Sequence, residues 1–266
     1  MADALAAQPV PAPDAPVPGG VRRRTHPGTA VQLTEHLWQV AGAGITHPWD
    51  AAAYLVCHGD PLLVDCGSSL GTQAVAAALA SAGVAVSDLS AVVGTHGHFD
   101  HLGGAAALAA AGVPVFLHPD DATAVAAGDP VLTCAGPLYG QSFPPVDSEP
   151  LGDGQLVTAG RARLEILHTP GHTPGSVCVV VRVDGLRILL AGDTLYGGFS
   201  PDIGSDADAW RASLERLGRR RFDALTFGHG IDRLLGDPAG RIAEARLRFG
   251  SYYDPWFRPP RYRFSY

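Results

Sequence analysis

The chain has 266 residues, with 19 basic against 26 acidic side chains, a net charge of −7 and a sequence pI near 5.8. This balance argues against a nucleic-acid binder, because phosphate contacts need clustered cationic side chains. The sequence contains neither lysine nor asparagine, which excludes Schiff-base lysine chemistry, a P-loop lysine and N-glycosylation.

The predicted elements alternate between strands and helices. Apolar runs of strand type and alanine-rich stretches give, in chain order, strands at 37–40, 54–57 and 61–65, a helix at 72–82, a strand at 91–93, a helix at 103–111, a strand at 114–117, a loop-rich stretch at 128–150, strands at 162–167, 177–183 and 187–191, a helix at 210–217 and a strand at 224–227. Asp184-Gly185 predicts a tight hairpin turn, since these residues tolerate the positive φ that such turns need. The order predicts an α/β fold with mixed sheets.

Three segments of different composition follow each other along the chain. Residues 1–28 are rich in alanine and proline and predict a disordered tail, residues 29–250 predict a folded domain, and residues 251–266 form an aromatic and arginine-rich extension. We expect this extension to pack on its own domain or to form a homodimer contact.

The four cysteines are scattered and form no C-x-x-C pair, so neither disulfides nor a thiolate zinc site is expected. No apolar run reaches the roughly 18 residues of a membrane span, and the N-terminus lacks the charge and apolar core of a signal peptide. We therefore predict a soluble, cytoplasmic protein that acts on a small molecule and has no nucleic-acid or membrane partner.

A cluster of metal-ligand side chains follows the strand at 91–93. The sequence from Thr95 reads Thr-His-Gly-His-Phe-Asp-His and contains four ligand-type residues, His96, His98, Asp100 and His101. Burying several imidazoles without partners is costly, whereas neutral imidazole and carboxylate are natural ligands of zinc and related ions. The spacing therefore indicates a divalent-metal site.

Three more ligand-type residues, His172, Asp193 and His229, follow later apolar runs and lie beside glycine, where backbone can crowd close around an ion. With them the chain resembles a metallo-β-lactamase-fold hydrolase over roughly residues 30–230, because the His-x-His-x-Asp-His signature and the later ligands come in that family's order. The resemblance implies an αββα sandwich, with two mixed β-sheets face to face and helices on both outer faces.

The resemblance also implies a role for each residue. His96, His98 and His172 would bind one divalent ion, Asp100, His101 and His229 would bind a second, and Asp193 would bridge the two. Zinc is the expected metal, with iron or manganese as alternatives. The two ions would hold a hydroxide that attacks the substrate carbonyl. Asp100 would orient that hydroxide, and Asp65 would accept a hydrogen bond from a ligand imidazole.

Asp193 argues against a true β-lactamase, because the β-lactamases of the family lack the bridging carboxylate. The chain is nearer to the thioester hydrolases that resemble glyoxalase II and to the lactonases. Tyr196 matches a lactonase tyrosine, which can donate to the developing oxyanion. The expected reaction is hydrolysis of a thioester, a lactone or another ester-like substrate. The short stretch after His229 has no lysine for glutathione, which weakens the glutathione-thioester interpretation.

Three alternatives stay open. A mononuclear iron persulfide dioxygenase would use residues matching His96, His172 and Asp193. Gly67-Ser68-Ser69-Leu70-Gly71 fits the G-x-S-x-G elbow of serine hydrolases, although few strands precede it. A metal-stabilised binding module would need only a closed cage of four ligands.

Substrate contacts are expected from loops beside the metals. The candidates are His47, Trp49 and Asp50 in the loop 42–50, the stretch 139–143, and the stretch 196–199 with Phe199. Trp49 and Phe199 would line an apolar wall. His118 and His168 are expected to be structural, because the ligand set is already complete without them.

Overall fold

A computed structural model of the chain describes residues 27–230 and 232–249. The predicted tail, apart from its last two residues, lies outside the described residues, and so does the extension at 251–266 with its predicted dimer contact. Among the described residues, no helix has the length and apolar character needed to cross a membrane.

The described part of the chain forms two β-sheets. The strands are β1 (Val31–Gln32), β2 (Leu37–Ala41), β3 (Ala53–Val56), β4 (Leu62–Val64), β5 (Ala91–Val93), β6 (Val115–Leu117), β7 (Glu149–Pro150), β8 (Leu156–Ala159), β9 (Ala162–His168), β10 (Val177–Val183), β11 (Leu186–Leu190) and β12 (Ala224–Thr226). The first sheet runs from β1 to β7 in chain order, and the second has the order β12-β11-β10-β9-β8. Each sheet contains parallel and antiparallel pairs, which confirms the prediction of mixed sheets.

The helices of the described residues are α1 (Thr72–Ser81), α2 (Phe99–Leu102), α3 (Ala105–Ala110), α4 (Pro119–Ala127), α5 (Ala135–Tyr139), α6 (Ala207–Gly218) and α7 (Pro238–Arg248). Two short 3-10 turns, Val86–Asp88 and Pro201–Ile203, complete the set. The first turn of α6 is capped by Asp206, whose carboxylate accepts from Ala209 N at 2.8 Å. This cap explains why the helix begins before the predicted start at residue 210.

The alternation of side chains along β10 shows how the layers stack. Val177, Val179 and Val181 belong to the core between the two sheets, whereas Cys178 and Val180 pack with Trp210 of α6. Successive side chains of a strand point to opposite faces, so the second sheet is covered on both sides. Burial on both faces explains why this strand is an unbroken apolar run in the sequence.

The structure differs from the predicted elements in some local details. The predicted helix at 103–111 is confirmed as α3, which begins only at Ala105 because Gly103 and Gly104 pass close to neighbouring backbone. A Cβ on Gly104 would lie 3.1 Å from the Cys66 carbonyl oxygen. The loop-rich stretch at 128–150 contains α5 and β7. Elements β1, α2, α4, β8 and α7 had no predicted counterpart.

The ends of five strands meet at one edge of the two-sheet sandwich. The segments after β4, β5, β9, β11 and β12 carry the predicted site residues. Backbone hydrogen bonds join the two sheets there, from Val177 N to Thr95 O at 2.8 Å and from Ala52 N to Gly228 O at 2.7 Å. This edge therefore holds loops that are distant in sequence at fixed positions.

Candidate metal centre

The structure brings the predicted ligand residues together at this edge. Ligand atoms of His96, His98 and His172 all lie within 4.8 Å of one another. The same holds for the group Asp100, His101 and His229. These groups correspond to the two predicted ligand sets.

Asp193 lies between the two groups. Its Oδ2 is 3.6 Å from His172 Nε2 in the first group and 3.3 Å from His229 Nε2 in the second, and its Oδ1 is 3.2 Å from His101 Nε2. The carboxylate is 5% exposed. Its place is the one expected of a bridging ligand.

The glycine beside His229 makes this close approach possible. A Cβ on Gly228 would lie 2.2 Å from Asp193 Oδ1 and 2.7 Å from His101 Cε1. A side chain at position 228 would therefore displace two of the candidate ligands.

The donor set fits a divalent ion. His96 Nε2 is buried and has no hydrogen-bond partner among the described residues, although buried polar atoms in proteins are nearly always paired. The rings of His96, His98 and His172 have centroids 4.6 to 4.8 Å apart and are close to perpendicular. With Zn–N bonds of about 2.0–2.1 Å, imidazoles that share an ion have their centroids about 5 Å apart.

Two other groups of ligand-type residues have a different geometry. His36 and His58 are stacked with centroids 3.9 Å apart, near Asp184, and His118 and His168 are stacked at 3.8 Å. Parallel rings at this distance cannot both direct a lone pair at one ion. The arrangement agrees with the expectation that His118 and His168 are structural.

Hydrogen bonds on the outer nitrogens orient two of the candidate ligands. His101 Nδ1 donates to Asp65 Oδ2 at 2.8 Å, and His172 Nδ1 donates to the Gly198 carbonyl at 2.7 Å. With Nδ1 protonated, each ring presents the Nε2 lone pair to the site. Asp65 thus occupies the position predicted for it.

The protonation states follow from burial and from the carboxylates. Burial lowers the pKa of His96, His98 and His172, so that these rings are neutral and able to bind a cation at neutral pH. Burial also acts to lower the pKa of His101, but Asp193 and Asp100 raise it well above its usual value. Burial acts to raise the pKa of Asp193, yet His229 and His101 hold it well below the usual range.

An aromatic wall stands beside Asp100. Burial together with the nearby Asp100 carboxylate raises the pKa of Tyr139. The Tyr139 ring contacts Phe99 at 5.3 Å and Trp49 at 5.5 Å between centroids. Trp49 itself is 42% exposed. The stretch 139–143 and Trp49, both predicted to contact substrate, thus meet in one wall.

The other predicted contact residues occupy different environments. Tyr196 is buried, with its ring 6.3 Å from that of His229, and Phe199 stacks on Trp210 at 6.5 Å. His47 is partly buried, and its Nδ1 accepts from Trp49 N at 3.2 Å.

The structure gives Asp50 a role different from the predicted substrate contact. Its buried carboxylate accepts hydrogen bonds from Ser68 N at 2.9 Å and from the hydroxyls of Ser68 and Thr46 at 2.5 Å. This side chain therefore holds the loop 42–50 in place. Asp50 also explains the elbow-like glycines, because a Cβ on Gly71 would lie 1.8 Å from its Oδ2.

The sequence analysis missed two residues near the centre. Cys134 is buried beside the site, and burial together with Asp100 and Asp193 raises its pKa to about 12. Asp121 on α4 is buried and bonded to both ligand loops. Pro119 at the first helical position and Gly128 after the last were the available signals for α4.

Comparison with known proteins agrees with this geometry. Residues 48–229 match the family model of the Metallo-beta-lactamase superfamily. The chain belongs to this superfamily.

Two solved structures have the same fold as this superfamily member. The metallo-beta-lactamase from Cronobacter sakazakii with the HARLDQ motif has a TM-score of 0.71 at 21% identity, over 85% of this chain and 94% of that chain. BJP-1, a subclass B3 enzyme of Bradyrhizobium japonicum, has a TM-score of 0.69 at 20% identity, over 85% and 92% of the two chains.

Relatives of this superfamily member include several enzymes. The human metallo-beta-lactamase domain-containing protein 1 is 34% identical over 64% of this chain and 58% of its own length. A hydroxyacylglutathione hydrolase of a Polaromonas species is 29% identical over 66% and 64%. The chicken acyl-coenzyme A thioesterase MBLAC2 is 31% identical over 58% and 63%. The chain spans between 41% and 64% of the length of these and similar curated relatives. The buried His/Asp clusters of this superfamily member are therefore a candidate metal centre.

Proposed function

We propose that this superfamily member hydrolyses acyl thioesters that carry an apolar acyl group, at a centre of two divalent metal ions, zinc being the expected metal. The observation that carries the proposal is the presence of two adjacent ligand groups with Asp193 in contact with both. A single closed cage would use only four ligands. The arrangement therefore supports a dinuclear centre over a structural metal site or a mononuclear one.

The two ions would be held by His96, His98 and His172 and by Asp100, His101 and His229, with Asp193 shared. When bound, such a pair polarises a substrate carbonyl and lowers the pKa of bound water to about 7.

Other side chains of the protein would orient the ligand rings and bind the substrate. Asp65 and the Gly198 carbonyl fix the rings of His101 and His172. Tyr196, whose ring lies 6.3 Å from that of His229, would be the candidate donor to the carbonyl oxygen as negative charge develops.

The exposed surface beside Asp100 supports an apolar acyl group. Tyr139 closes the wall next to the centre, and the segment before it exposes three aliphatic side chains. Val131 and Leu132 are each 42% exposed and Leu138 is 55% exposed. Apolar side chains grouped at a site are the usual lining for a small-molecule ligand. The names of the relatives, an acyl-coenzyme A thioesterase and hydroxyacylglutathione hydrolases, point to the same reaction class.

The test is a substrate panel with the metal-loaded protein. We expect thiol release from octanoyl-CoA to exceed that from acetyl-CoA, and treatment with chelator to abolish it. Leu138→Ser should raise KM for the octanoyl substrate and leave the acetyl substrate unchanged. Leu247→Ser is the matched control, since Leu247 is 75% exposed and lies on α7.

Other results would replace the proposal. Turnover confined to lactones or other esters would retain the metallo-hydrolase and reject the thioester. Oxygen consumption with a persulfide, together with one iron per chain, would instead establish a dioxygenase.

A further inference from the structure

One buried carboxylate outside the ligand set joins the two loops that carry the first ligand group. Asp121 on α4 is 6% exposed. Its Oδ2 accepts from Gly97 N at 2.9 Å and from the Thr173 hydroxyl at 2.8 Å, and its Oδ1 accepts from Gly175 N at 2.7 Å. Gly97 lies between His96 and His98, and Thr173 follows His172 directly. The three donors thus come from two segments about 75 residues apart, a separation that only the tertiary fold brings together.

Glycines of both ligand loops pack closely against Asp121 and its helix. A Cβ on Gly175 would lie 2.6 Å from Asp121 Cγ, and a Cβ on Gly97 would lie 2.9 Å from Val125 Cγ2, one turn further along α4. Both ligand loops therefore rest on the same helix through their backbones. Thr173 is held in addition by Ser176, whose hydroxyl lies 2.7 Å from the Thr173 hydroxyl.

We propose that Asp121 is a positioning residue that sets the placement of His98 relative to His172, and through it the metal affinity of the group His96, His98 and His172. The two rings meet at 3.0 Å between His98 Nδ1 and His172 Nε2. Both nitrogens must turn their lone pairs to one ion, so a small shift of either loop removes a ligand. Asp121 acts on the ion through the loops and touches neither ring.

The chemistry of the carboxylate suits this role. An ionised carboxylate only accepts hydrogen bonds, and all three of its partners here are donors. Bonds to an ionised acceptor are shorter and stronger than neutral ones. An asparagine at position 121 would turn an NH2 group towards at least one N–H or O–H donor, while its volume stays the same.

The chain offers a matched control at the opposite end of β10. Asp184 also accepts three hydrogen bonds, from the Thr34 hydroxyl at 2.6 Å, from His36 N at 2.9 Å and from the His36 ring at 2.5 Å. It joins the hairpin after β10 to the segment before β2, and it contacts no ligand loop. Asp184→Asn therefore breaks the same kind of contact without reaching the metal centre.

The experiment measures zinc affinity by competition with a chromophoric chelator, and the visible spectrum of the cobalt-substituted protein, for the full chain. Asp121→Asn should weaken binding of the zinc held by His96, His98 and His172 by roughly 10 to 100-fold, the usual effect of losing a partner that supports a ligand, and should shift the cobalt bands. Asp184→Asn should change neither. Thr173→Val should reproduce part of the loss, and Thr173→Ser, which keeps the hydroxyl, should restore it.

Several results would overturn the proposal. These are unchanged zinc affinity and cobalt bands in folded Asp121→Asn, an equal loss in Asp184→Asn, or a wild-type protein that binds no divalent ion. If Asp121→Asn does not fold, wild-type affinity in Thr173→Val would overturn it. The readout needs no substrate, so rejection of the thioester would leave this inference standing.

Discussion

Asp65 Oδ2 accepts a hydrogen bond from His101 Nδ1 at 2.8 Å, and the same carboxylate accepts from Thr95 N at 2.7 Å and from the Thr95 hydroxyl at 2.8 Å. The segment after β4 thereby fixes both the start of the histidine signature and the ring of its last histidine. Asp65 has a φ of 59°, a conformation that aspartate and asparagine tolerate better than most residues.

Asp65→Asn is therefore expected to keep the backbone while it disturbs the His101 ring. Loss of one acceptor should lower metal affinity or turnover by about 10 to 100-fold. Metal content and the rate of hydrolysis check this, with Asp60→Asn on the surface as control. Wild-type values for Asp65→Asn would show that the hydrogen bond does not support the centre.

Ser69 tests the serine-hydrolase alternative. The glycines around it are explained by packing on Asp50, so Ser69→Ala should leave hydrolysis unchanged at full metal content. Loss of activity in this variant, with both ions still bound, would favour the serine nucleophile.

Gly171 lies against the α6 helix beside His172. Its φ is 144°, and a Cβ there would lie 2.2 Å from Trp210 Cβ. Gly171→Ala should therefore destabilise the metal-free protein by about 3 kcal/mol, as expected for overpacking. Gly44→Ala, with no atom within 4 Å of its Cβ, should stay within about 0.5 kcal/mol. Denaturant titration measures both, and equal stabilities would contradict the packing argument.

Ionisation of Asp184 should make the free energy of unfolding depend on pH in the acid range. Burial acts to raise its pKa, but hydrogen bonds from Thr34 and His36 hold the pKa below its usual value of 3.8. A carboxyl with a lowered pKa in the folded state stabilises the fold above its unfolded pKa, and this contribution is lost as the pH falls through the folded one. The metal-free wild type should thus lose more stability than Asp184→Asn as the pH falls below about 4. Parallel losses of stability would contradict this assignment.

The sequence predicted which ligand-type residues lie together better than it predicted the surroundings that hold them. His96, His98, Asp100 and His101 lie on one short segment, so their spacing alone indicated a site. His172, Asp193 and His229 could be found because each follows an apolar run, and strand ends meet at one edge of a sandwich.

The supporting contacts had no such local signal. The partners of Asp121 are 24, 52 and 54 residues away, and only the fold brings them together. Asp50 is polar and lies in a loop beside the site, which favoured a substrate contact, yet its partner Ser68 is 18 residues away. In β8 the exposed fraction of Leu156 is 66%, so the strand lacks the apolar pattern that would have indicated it.

The central claim is a centre of two divalent ions, and elemental mass spectrometry of protein purified without chelators or added metal tests it most directly. The account predicts close to two ions per chain, mainly zinc, and close to none after the double replacement His96→Ala and His101→Ala. One iron per chain, or no metal bound by a folded protein, would contradict it.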